Sequence, residues 1–143
     1  MKRFVFSMQK VLDLRRFEQE QAELELGRAN AEVSRIQADL DLLAKEKNST
    51  VSGYDSAEDF AFMAQAHSYL VFLEQKKEIF LRQMAQAKLV AEEKRAAVRE
   101  AMQKVKVLED LRGKKYAEWK RQSEKQDEIV SDDIVTSSYA RKR

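Results

Sequence analysis

Apolar residues recur along this chain at spacings that alternate four and three. Ala22, Leu26, Ala29, Val33, Ile36, Leu40 and Leu43 form the first such row. At 3.5 residues per repeat, that is the seam through which one helix of a coiled coil packs on another. Carried backwards, the register falls on Gln19, Arg15, Leu12, Met8 and Val5, so polar residues loosen the seam towards its start. A second row runs through Met63, Ala66, Leu70, Leu73, Lys77, Phe80, Met84, Ala87, Ala91, Lys94, Val98, Ala101, Val105 and Leu108. Lys77 and Lys94 interrupt it without changing its phase. Past Leu108 the register meets Arg112 and Lys115, and apolar character moves to Leu111, Tyr116 and Trp119.

The stretch between the rows, residues 48–59, reads NSTVSGYDSAED. Lys45 and Lys47 would place positive charge in a last helical turn, with Asn48 as the stop. Ser56 is a candidate cap for the second helix, with Glu58 and Asp59 complementing its dipole. A connector of about ten residues favours antiparallel neighbours. The expected fold is all-α: a long antiparallel two-helix coiled-coil hairpin with unequal arms, residues 1–126. Its helices would run over about 8–47 and 57–126, around a loop at about 48–56, leaving 127–143 as a C-terminal tail. Pairing about that loop makes facing positions sum to about 105, which sets Met8 beside Val98. The second helix would then continue alone for about 28 residues, or roughly 42 Å. Such an overhang needs something packed on it to hold its shape in water.

Composition supports the helical reading and removes other classes. Of 143 residues, 36% are charged, three are glycine and none is proline, which leaves few stop signals for helix and few turns for a sheet. With no cysteine there are no disulfides, thiolate metal sites or cysteine nucleophiles. No apolar run approaches the roughly 20 residues needed to cross a bilayer. Ser7, Gln9, Lys10 and Asp13 interrupt the start too often for a signal peptide, so the cytoplasm is the expected location.

Net charge is only +2, but its distribution is uneven. From Lys94 to Arg121 ten basic residues stand against four acidic ones, or +6; from Phe17 to Glu46 eight acids stand against three bases, or −5. Solvated helix faces account for much of this, and a basic docking arm for an acidic surface is the sharper reading. Nucleic acid fits less well, because stacking aromatics are not interleaved with the bases. Chemistry is nearly absent. His67 is the only histidine and lies off the seam, with no base, orienter or phosphate-binding glycine loop nearby. No enzyme activity, cofactor or metal is expected.

The first residues hold more large apolar groups than one seam can bury. Leu14, Phe17, Gln21 and Leu24 form a second stripe outside the one that uses Leu12 and Leu26. Either a segment of the chain from Ile129 folds back over them or a partner protein covers them. The same stretch resembles the N-terminus of the flagellar FliJ family. The matching elements are Phe4 and Phe6 around a polar gap, Val11-Leu12-Asp13-Leu14-Arg15, Glu18-Gln19-Glu20, and Ala22 to Gly27.

That resemblance implies a central stalk component of the flagellar type III protein export apparatus, built like the coiled coil of the rotary ATP synthase gamma subunit. It would link the hexameric export ATPase to the cytosolic domain of the export gate and assist export chaperones. Its place would be cytoplasmic, peripheral to the inner face of the cell membrane at the flagellar base. On this reading the ATPase contact would fall on Phe4, Phe6, Val11, Leu14, Phe17, Leu111, Lys114, Lys115, Tyr116 and Trp119. The gate contact would fall on Asp39, Leu43, Tyr69, Leu73, Lys76 and Phe80, of which Leu43, Leu73 and Phe80 also belong to the seam. Two alternatives stay open: an injectisome stalk of the same architecture, and a free prefoldin-like holdase.

Overall fold

The computed structural model of the protein describes residues 2–55 and 58–141. Two helices make up almost all of it, α1 over Gln9–Asp55 and α2 over Phe60–Arg141, packed against each other without any strand among the described residues. The expected all-α helical hairpin, with arms of 47 and 82 residues, is what forms.

Both helices are longer than the pattern predicts. α1 does not stop at Asn48 but runs on through the stretch expected to be loop. Its residues there are poor helix formers taken singly, most costing a few tenths of a kcal/mol relative to alanine and Gly53 about 1 kcal/mol. Packing overrides that cost. After Leu43 the register continues through Lys47, Thr50 and Tyr54, again at spacings of four, three and four, and Thr50 and Tyr54 are half-buried. The Thr50 hydroxyl also donates to the Glu46 carbonyl at 2.9 Å, back along the helix. At the start of α2 the cap is Asp59: its carboxylate accepts from the Ala61 N–H at 3.0 Å, and its carbonyl from the Met63 N–H at 3.0 Å. Ser56, the cap expected from sequence, and Ala57, the expected first residue of the helix, lie outside the described residues. α2 likewise passes through 127–141, the expected tail, as continuous helix.

A turn placed several residues later shifts every pairing, because each residue of displacement moves the register by two. Leu12 therefore clusters with Val105 and Leu108, and Gln9 accepts a hydrogen bond from Arg112 at 3.1 Å. Met8 is not beside Val98, and the overhang of α2 begins near Trp119.

The chain divides into two compact units, one made of Met1–Gln19 with Glu100–Arg143 and the other of Glu20–Arg99. In the second unit every position of the first seam from Ala22 to Leu43 is buried or half-buried, and so is the facing row from Met63 to Val98 except Lys77. Ile36, Met84 and Ala87 form its centre, with Val33, Leu40 and Phe80 packed around them. Lys94 stays half-buried by pairing with Glu25 at 3.0 Å. In the first unit Phe6, Leu12, Val105 and Leu108 form the core, with Phe4 and Leu111 against it.

The seam does not continue to Val5. That side chain is 79% exposed while Phe6 is 7% exposed. Residues 2–6 precede the helix, so a helical register has no meaning for them.

Candidate partner-binding surfaces

The residues assigned to an ATPase contact all lie in the first unit, and the structure sorts them into three groups. Phe6 belongs to the core and is not available to a partner. Phe4, Leu111, Tyr116 and Trp119 close the end of the helix pair. The Phe4 ring meets Tyr116 edge-on at a centroid distance of 5.3 Å and Trp119 at 5.8 Å, and Tyr116 lies 5.7 Å from Trp119. The Arg112 guanidinium sits 5.5 Å from the Phe4 centroid, a cation–π contact. This cluster is partly a clasp that ties the irregular N-terminal segment to α2, and Tyr116 keeps an exposed edge.

The third group faces outward. Leu14 is 52% exposed, Phe17 is 56% exposed, and Val11 is exposed beside them. Spacings of three and three put these side chains close together on α1. No fold-back covers them, since α2 stays helical through Arg141 and its residues from Ile129 are themselves exposed. Positive charge lies in the same unit on exposed Lys114 and Lys115; Lys115 reaches Glu118 at 3.7 Å, an exposed pair of little energetic weight. Arg16 and Glu109 pair across the two helices at 3.3 Å.

The residues assigned to a gate contact lie in the second unit and divide differently. Leu43 and Leu73 are buried in the seam, and Phe80 packs on the Ile36 cluster. Those three are accounted for by core packing. Tyr69, Lys76 and Asp39 sit nearer the surface. Tyr69 is half-buried, donates its hydroxyl to the Glu46 carboxylate and stacks on Phe72 at 6.1 Å. That hydrogen bond pushes the Tyr69 phenol up from its ordinary range. The Lys76 ammonium lies over both Phe72 and Phe80, at 5.9 and 5.8 Å. Asp39 accepts from Arg35 at 3.1 Å, and Arg35 also holds Glu32, whose carboxyl it keeps below the usual range. Asp39 thus stands apart from the Tyr69–Phe72–Lys76 group in its contacts.

Phe72 is the residue the sequence reading missed. It is exposed between Tyr69 and Lys76, one position before buried Leu73, and an aromatic directly beside a seam leucine is the signal that could have found it.

Among the described residues no three His, Cys, Asp or Glu side chains are grouped as metal ligands, and no helix is long and apolar enough to cross a membrane. The arrangement presents exposed apolar and charged faces. Compared with known families, the chain matches the model described as flagellar FliJ protein over residues 4–143. No curated protein and no solved structure matches it.

Proposed function

We propose a function from one premise: the chain belongs to the FliJ family, a non-catalytic component of flagellar protein export. The proposal is that it serves as the central stalk of the type III export apparatus. It joins the export ATPase hexamer to the export gate, assists export chaperones, and works at the inner face of the cell membrane. The observation that carries this reading is the exposed Val11–Leu14–Phe17 face on a helix pair whose end is closed by Phe4, Tyr116 and Trp119. A narrow hole in a ring of ATPase subunits admits one or two helices, and a paired end with large apolar groups on its outside suits that geometry. Buried aromatic anchors supply most of the affinity of such contacts, whereas rim charges such as Lys114 and Lys115 mainly set rate and salt dependence.

The test separates contact from stability. Purified export ATPase is assayed with and without the chain, alongside thermal melting of each variant. Phe17→Ala is expected to abolish stimulation with melting unchanged, because the ring is largely in solvent. Neutralising Lys114 and Lys115 should weaken binding chiefly at low salt. The assignment is overturned if Phe17→Ala stimulates like the parent, or if every loss of stimulation accompanies an equal loss of helix stability.

A gate contact in the second unit rests on the Tyr69–Phe72–Lys76 group, with Asp39 as a separate polar candidate. Here Tyr69→Ala should weaken binding to the gate's cytosolic domain while helicity stays intact. Unchanged affinity would take Tyr69 out of the contact and leave it to its packing on Phe72 and its bond to Glu46.

A further inference from the structure

Beyond Trp119, α2 continues without α1 beside it, and its apolar residues leave the seam register that falls on Arg112 and Lys115 for a neighbouring stripe. Tyr116, Trp119, Ser123, Val130 and Ile134 follow one another at spacings of three, four, seven and four, so they share a stripe. Val130 and Ile134 are exposed, and a shallow groove of about 350 Å³ runs along them past Asp133, Ser137, Ser138 and Arg141. Charge changes sign along the same helix. Residues 112–121 hold five bases and one acid, or +4; residues 124–133 hold five acids and one base, or −4.

This arrangement is complementary to itself turned end for end. Lys115 and Asp133 are 18 residues apart, five helical turns, and so lie on one flank of the stripe. Lys120 and Asp127 are seven residues apart, about two turns, and lie on the other flank. Antiparallel helices bring like flanks together. With a two-fold axis near Ser123 and Glu124, Lys115 meets the second copy's Asp133 and Lys120 meets its Asp127, and the symmetry repeats both pairs. A parallel copy would set acid on acid and base on base. We propose that the overhang of α2 is an antiparallel self-association surface, occupied by a second copy of this chain. The inference does not depend on the ATPase reading, and by covering the Val130–Ile134 face it would hold that face away from other partners.

The full chain is examined by sedimentation velocity at micromolar concentrations and rising salt. A monomer–dimer equilibrium is expected, weakening about tenfold or more between ~0.1 and ~1 M salt as the screening length falls from ~10 to ~3 Å. Asp127→Lys with Asp133→Lys should give a monomer, and so should Lys115→Glu with Lys120→Glu. Mixing the two variants should restore the dimer. All four side chains are exposed, so helicity measured beside each variant should be unchanged. The chain has no cysteine, so orientation is read directly with single thiols. Ser123→Cys, near the axis, should cross-link two copies with a short thiol reagent, while Ser137→Cys, far from it, should not. A chain that stays monomeric throughout overturns the proposal and leaves the face to a different protein. A dimer indifferent to both charge reversals, or one that cross-links equally at both positions, overturns it as well.

Discussion

The two units use the same two helices to different ends. In Glu20–Arg99 the apolar row of each helix meets the other, and nearly every seam position is covered. Its core is aliphatic, apart from Phe80, and it uses small residues such as Ala87 and Ala91 where the helices approach. In the other unit α1 begins only at Gln9, so beyond Leu12 and Leu108 the seam gives way to aromatic contacts from a non-helical segment. There α1 keeps apolar side chains on its outer face, and α2 runs 22 residues past Trp119 with almost every side chain in solvent. The contrast teaches how far coverage of the seam, and with it packing, extends along the two helices. Coverage of the seam holds one unit together, and incomplete coverage leaves the other with apolar side chains in solvent.

The largest effects should come from emptying the two cores. Leu12 is fully buried and Ile36 is 2% exposed, so truncating either to alanine should cost about 2–5 kcal/mol. Hydrogen exchange should show Leu12→Ala exposing amides mainly in Met1–Gln19 and Glu100–Arg143, and Ile36→Ala mainly in Glu20–Arg99. Uniform loss of protection from both would erase the distinction between the units.

Phe4→Ala sharpens the comparison at its open end. It removes two ring contacts and the Arg112 cation–π contact, each worth roughly 0.5–1.5 kcal/mol beyond buried area. Thermal unfolding should register a loss of about 1–3 kcal/mol. Phe17→Ala, on the exposed face of the same unit, should change stability by no more than about 0.5 kcal/mol. Equal losses would show that Phe17 is packed and that its face is not free.

Charged pairs across the helices should matter less. Removing Arg16, which reaches Glu109 at 3.3 Å with both side chains about half exposed, should cost about 0.2–1 kcal/mol by urea denaturation.

The smallest effects are those of pH on two groups at the surface of the second unit. Glu32 is held below the usual carboxylate range by its hydrogen bond to Arg35. Its contribution is therefore present above the ordinary carboxylate pKa and is lost as pH falls through the lowered value. Tyr69 is raised by its bond to Glu46, so its contribution is present below the ordinary phenol pKa and lost as pH rises through the raised value. Melting recorded against pH should lose a small alkaline slope in Tyr69→Phe and a small acidic one in Glu32→Gln. Slopes that persist in these variants would assign the pH dependence elsewhere.

Periodicity alone determined the class of fold and almost the whole seam. Leu12, Ile36, Leu43, Ala66, Leu73, Met84, Ala91, Val98, Val105 and Leu108 were all readable as core, because a helix that buries one stripe must repeat its apolar residues at helical spacing. The family was legible too, from the Phe4–Gly27 stretch. The turn was not. Residues 48–55 have the propensities of a loop, yet they form helix, with Thr50 and Tyr54 half-buried on the continued register. That error moved every pairing, because register is a property of two chains of residues and a single row of apolar positions cannot fix it. For the same reason tertiary structure alone decided which apolar residues of the first unit are core and which are surface. Phe4, Phe6 and Phe17 are alike in sequence, but Phe6 meets Leu12 and Val105, Phe4 meets Tyr116 and Trp119, and Phe17 has its ring largely in water. Burial depends on what lies opposite, and what lies opposite comes from a hundred residues away along the chain.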